Sequence, residues 1–122
     1  MNNAAIHIIL RNIRTSGTEF VFKQFPMNDT GEILYDGASE EITLKGLFHE
    51  SAGTRELKTT DSGSVHSKNV SMILTDHASA KDIRRYAECM IGGNKFRVVS
   101  VIDVEQKSSI AEIVIERVQG DV

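Results

Sequence analysis

The apolar pattern changes period early in the chain. Over residues 4–15, "AAIHIILRNIRT", Ile6, Ile9, Leu10 and Ile13 lie at helical spacing, while Ile6, Ile8 and Leu10 alternate as in a strand. The two alanines and the four-residue stripe predict a short amphipathic helix that stops at Ser16-Gly17. "TEFVFKQF" (18–25) sets Phe20 and Phe22 between polar neighbours and reads as a strand. Pro26 ends it, because proline gives no N–H to a ladder, and "MNDTG" (27–31) is turn chemistry. "EILYDGAS" (32–39) is mixed and reads as a loop with an edge strand at most.

"EEITLKGLFHES" (40–51) is a clearer strand. Ile42, Leu44 and Phe48 fall on one face, and Gly46 in its interior predicts a bulge or a bend. "AGTRELKTTDSGSVH" (52–66) has little apolar content and reads as the longest loop, extending to residue 68. "NVSMILTD" (69–76) alternates Val70, Met72 and Leu74. "SAKDIRRYAE" (79–88) opens with Ser79-x-x-Asp82, which resembles a capping box and predicts a helical turn or two.

The last stretch, 89–118, holds two long strands. Gly92, Gly93 and Asn94 lie between a short apolar run and a long one, and Gly93-Asn94 suits the positive φ angles of a hairpin corner. Phe96, Val98, Ile102 and Val104 are placed on one face, with Val99 and Val101 on the other. Ile113 and Ile115 then oppose Ile110, Val114 and Val118. Apolar residues on both faces predict a curved sheet, or one whose outer face meets a neighbour. The pattern as a whole predicts a mainly β fold: a small curved antiparallel sheet or partly closed β-barrel of about six strands, with one or two short helices and a long loop.

A length of 122 residues fits one domain, 1–122, with residues 1–16 as an N-terminal helix or arm and 52–68 as the long polar loop. The net charge of −3 argues against a protein built to grip nucleic acid through its phosphates. Cys89 is the single cysteine, beside apolar residues, and reads as a buried small side chain. No segment approaches the ~20 apolar residues that span a bilayer. The opening residues lack a basic leader and an A-x-A cleavage pattern, so they are expected to belong to the fold.

Few residues in the chain offer chemistry. A phosphate loop needs Gly-x-x-x-x-Gly-Lys-Ser/Thr followed by a helix. Here Lys95 lacks the Ser/Thr and a strand follows, so the glycine pair reads as a turn. None of His7, His49, His66 and His77 pairs with another at i, i+4. A metal set from His49, Glu50, Asp61 and His66 lacks ligand spacing. Arg84-Arg85-Tyr86 and Lys95-Phe96-Arg97 interleave basic and aromatic residues, as a solvated face or partner salt bridge would. No catalytic set, cofactor or metal site is expected, and excess apolar strand surface points to an assembly or interaction module.

Three stretches resemble the head–tail joining (head-completion, neck) proteins of lambda-like tailed bacteriophages. "ITLKGLFHES" (42–51) looks like that family's strand ending in Gly-apolar-Phe-acidic, before a long polar loop. "SMILTDHASAKDI" (71–83) is similar to its strand, Thr-Asp and short connection. "MIGGNKFRVVSVIDVEQKSSIAEIVIERV" (90–118) looks like its glycine-turned hairpin and two final strands. The resemblance implies a non-enzymatic virion protein, assembled in the bacterial host cytoplasm. It implies a monomer when free and a homo-oligomeric ring once docked between portal and tail proteins. DNA would pass close by, without specific binding. Arg55, Glu56, Lys58 and Asp61 of the polar loop, with Arg84 and Arg85, are the expected interface residues. The alternatives are a tail-completion or tail-terminator protein and, from another class, a small β-barrel module that binds nucleic acid or a ligand.

Overall fold

A computed structural model describes residues 2–50, 55–58, 65–68 and 70–118. The first element is helix α1, Asn3–Ser16. Asn2 caps it, its Oδ1 accepting from the Ala5 N–H at 2.8 Å, which satisfies one of the amides that a helix start leaves unpaired. Ile6 and Ile13, two turns apart, are buried, while Ile8 is 60 % exposed. The helical reading of this stretch therefore holds over the strand reading. The Gly17 N–H donates to the Ile13 carbonyl at 3.0 Å and ends the helix.

Among the described residues eight strands follow: β1 Thr18–Gln24, β2 Glu40–Glu50, β3 Arg55–Lys58, β4 Val65–Lys68, β5 Val70–Asp76, β6 Glu88–Ile91, β7 Asn94–Asp103 and β8 Ile110–Arg117. Six of them close into a barrel in the order β1-β2-β5-β8-β7-β6, every neighbouring pair antiparallel. The expected mainly β class and a barrel of about six strands are borne out, and the barrel is closed. Residues read as the long polar loop include β3 and β4. They pair with each other from Arg55–Lys68 to Lys58–Val65, as a separate two-stranded sheet. This corrects the loop reading. Alternation in "RELK" and "VHSK" was too short to register against their polar surroundings.

The two ends of the barrel are closed differently. At one end the chain crosses from β5 to β6 through α2, His77–Ala80, and Ala80, Ile83 and Ala87 enter the barrel core. At the other end the rings of Phe20, Phe48 and Phe96 stack in tilted and edge-on contacts, centroids 6.5 and 6.3 Å apart. Between them Phe22, Ile73, Ile113 and Ile115 are fully buried. A second, smaller cluster of Val70, Met72 and Val114, with Val99 against it, lies on the outer face of β5, β8 and β7. The alternation Val70, Met72, Leu74 thus marks the outer face of β5. Its inner face carries Ser71, Ile73 and Thr75, opposite Ile115, Ile113 and Ala111. Thr75 keeps its buried hydroxyl bonded by donating to the Lys45 carbonyl at 2.6 Å.

Three local expectations are corrected. The helix after β5 begins at His77, and its cap is Asp76, whose carboxylate accepts from the Ser79 N–H at 2.9 Å and the Ser79 hydroxyl at 2.7 Å. The Asp76-Ser79 pair does what Ser79-Asp82 was expected to do, three residues earlier. In β7 the register slips between Val98 and Ser100. That extra residue reverses the phase, so Val101, not Ile102, faces Ile113 across the ladder. Gly46 inserts no extra residue. It is the last partner of β1, and from Leu47 onward β2 pairs with β5. A Cβ there would lie 2.5 Å from Ile73 Cγ2 and 2.9 Å from the Leu74 carbonyl oxygen. Gly46 is required by close backbone approach where the strand changes partner.

Candidate functional site

The glycine pair forms the β6–β7 corner. Ile91 pairs with Asn94, leaving Gly92 and Gly93 as a two-residue connection at φ 58° and 81°. Both corners need positive φ, and a glycine occupies each. Asn94, expected in the turn, is the first residue of β7. No phosphate cradle forms here, because the residue after the turn enters a ladder instead of a helix.

The expected interface residues separate. Arg55, Glu56 and Lys58 lie on β3, which is inserted between Glu50 and Val70 at the aromatic end of the barrel. Asp61 lies outside the described residues. Arg84 and Arg85 sit at the opposite end, after α2. There the Gln24 amide donates to the Asp82 carbonyl at 2.9 Å, and the Arg84 N–H donates to Gln24 Oε1 at 3.0 Å. The Arg84 guanidinium reaches the Phe25 carbonyl at 3.2 Å, and Arg85 stacks over the Tyr86 ring at 4.9 Å. These arginines brace the crossing segment as well as facing solvent.

Among the described residues no group of three or more His, Cys, Asp and Glu is placed to hold a metal ion. His49 is exposed on β2, and His77 lies 3.7 Å from Asp103. Among the described residues no helix is long and apolar enough to cross a membrane.

The feature that the sequence pattern did not reveal is the barrel's seam. β1 and β6 pair over only two positions, Phe22–Cys89 and Lys23–Glu88. Beyond them, among the described residues, Thr18–Val21 has no ladder partner on its β6 side. A groove of about 510 Å³ opens over this gap. Glu19, Val21 and Lys23 of β1 form one wall, with Glu41 beyond, and Glu88 and Met90 of β6 form the other. Lys95 of β7 closes one end, 3.9 Å from Glu88. The middle is apolar and open: Val21 is 46 % and Met90 61 % exposed.

Cys89 sits at the base of the gap. Its sulfur donates to the Met90 carbonyl oxygen at 4.0 Å, and the Val21 backbone lies beside it. The thiol thus spans the position where the next ladder bond, Val21 to Met90, would form. Burial holds the thiol in its neutral form and pushes its pKa from 9.0 up to about 11, against the smaller opposing pull of the Val21 backbone. A thiol held neutral is a poor nucleophile, so the expected structural role of Cys89 agrees with its position.

The chain matches no protein-family model and no curated protein.

Proposed function

We propose that this protein is a structural subunit of the neck that joins the DNA-filled head of a tailed phage or prophage to its tail, without catalysis. The observation that carries this reading is the placement of the polar segment. A closed six-stranded barrel presents the β3–β4 hairpin at one end, between strands corresponding to the stretches that resemble the joining family. A small barrel with a hairpin set on one end, and apolar side chains such as Tyr35 and Met90 more than half exposed, is suited to stacking between other subunits. The net charge of −3 suits a ring through which DNA passes without adhering. Portal and tail proteins are the partners, and the virion is the location.

The test is complementation. Filled heads lacking their joining protein are mixed with the purified chain and with tails, and infectious particles are counted. Restored infectivity supports the reading, and no restoration at saturating protein overturns it. Restoration only when tails are the incomplete part assigns the protein to tail completion.

A further inference from the structure

We propose that the open part of the β1–β6 seam receives the β3–β4 hairpin of a second copy of this chain, which adds a strand to the free edge of β1. This deepens the assembly reading and rests on it for its setting.

Backbone direction shows which groups face the gap. In a strand both backbone groups of one residue point to the same side, and successive residues alternate. The Tyr86 N–H donates to the Val98 carbonyl, and the Val98 N–H to the Ala87 carbonyl, so Val98 and Phe96 of β7 face β6. Cys89 pairs with Phe96 and faces β7, so Glu88 and Met90 face β1. Lys23, paired with Glu88, therefore faces β6, and so do Val21 and Glu19. Glu19 thus directs an N–H and a carbonyl into the groove, where the described ladder gives them no partner. Free strand edges of this kind are templates for strand addition.

The occupant is argued from three observations. Among the described residues the hairpin also has free edges, since β3 and β4 pair only with each other. A lone two-stranded hairpin is marginally stable in water and gains from a third strand. The open stretch of the seam, Thr18–Val21, lies at the same end of the barrel from which the hairpin departs, so copies set side by side around an axis can engage head to tail. Charge also matches. The groove carries three carboxylates, Glu19, Glu41 and Glu88, against Lys23 and Lys95. The hairpin strands carry Arg55, Lys58 and Lys68 against Glu56.

The test is directed cross-linking between full-length chains. A chain with Glu19→Cys is mixed with one carrying Glu56→Cys or Leu57→Cys, one for each face of β3. Mixing is done at high concentration and on filled heads, under mild oxidation with Cys89 left in place. The expected result is a mixed disulfide with one of the two β3 positions, at least tenfold above that formed with Ile8→Cys on α1. Glu19→Pro, which removes an N–H facing the groove, is expected to weaken self-association at least tenfold without shifting the melting temperature. Equal yields at all positions, a dominant 19–19 dimer, or chains that stay monomeric under both conditions overturn the proposal. The two readings fail separately. Infectious particles without the mixed disulfide remove strand addition alone, and the disulfide without infectivity removes the neck role alone.

Discussion

The two sides of this barrel are held by very different amounts of structure. On one side β8 is laddered continuously to β5, from Val70–Glu116 to Asp76–Ile110, and to β7 over nearly its whole length. On the other side β1 meets β6 at two positions, and a thiol fills the next one. Of the four residues of β6, only Glu88 and Cys89 pair with β1, and Met90 and Ile91 diverge from it before the Gly92–Gly93 corner. Closure removes exposed edges only as far as the ladder runs, and here it leaves an edge open on one strand. The contrast predicts that changes on the β8 side act on stability, whereas changes in the seam act on association.

The largest effect belongs to the β8 side. Ile113 is fully buried, faces Ile73 and Val101 in the two ladders, and is part of the central core. Ile113→Ala is expected to cost about 2–5 kcal/mol, through lost burial and the cavity left behind. Urea unfolding followed by circular dichroism reads this directly, and a loss under 1 kcal/mol would place the core elsewhere. Next is the partner exchange at Gly46. Gly46→Ala drives a Cβ against Ile73 and the Leu74 backbone, and about 1–3 kcal/mol of destabilisation is expected from the forced shift. An unchanged midpoint would mean that β2 does not approach β5 this closely.

Cys89 probes the seam by pH. Its pKa is raised from 9.0 to about 11 in the folded chain. Well below pH 9 the thiol is neutral in both states and contributes no pH dependence. As pH rises from 9 toward 11 the unfolded thiol loses its proton and the folded one keeps it, so stability falls across that window. The loss is on the order of 2 kcal/mol. Unfolding of the parent and of Cys89→Ala, compared at pH 8 and pH 10.5, isolates it: the variant should lack this part of the slope. Equal slopes would mean that the thiol is not buried in the seam.

How much of this was legible in the sequence follows from the range of each interaction. α1, β1, β2, β5 and the β6–β7 hairpin are written in local periodicity, and the corner in the glycine pair. Gly46 announced itself as a special position, although its reason, the nearness of Ile73 and Leu74, lies on another strand. The phase of β7 is not readable locally, because the slip at Val98/Ser100 is defined only against β8. The cap at Asp76 is hidden because Ser79, its partner, is itself a good capping residue with Asp82 three places on. Of the candidate site, Arg55, Glu56 and Lys58 were chosen by charge, and their place on a strand was not visible. The seam was invisible altogether, since nothing within Thr18–Val21 or Glu88–Ile91 states how far the two will pair. Gly93→Val separates the local signal from packing. A Cβ at Gly93 meets nothing within 4 Å, so only the φ of 81° resists it. A cost of about 1–2 kcal/mol is expected for a bulky residue there. Gly93→Asn should recover most of it in the same melt, because asparagine tolerates this conformation.

The smallest effect on stability is the sharpest test of the contrast. Proline in a central strand removes a ladder bond and is rarely tolerated, whereas on a free edge its missing N–H costs little. Glu112 on β8 lies in register with Leu74 and Ile102 on its two sides, so Glu112→Pro is expected to cost about 3 kcal/mol or more. Glu19 pairs with Lys45 on β2, but its own N–H faces the seam, so Glu19→Pro leaves the β1–β2 ladder bonds intact. The expected cost is under about 0.5 kcal/mol, within the range of ordinary surface substitutions. Hydrogen exchange gives the finer reading: protection of Phe20 and Phe22, whose N–H groups face β2, should be unchanged in Glu19→Pro. Loss of that protection, or a cost matching that of Glu112→Pro, would mean that the Glu19 N–H belongs to a ladder and that the seam is closed.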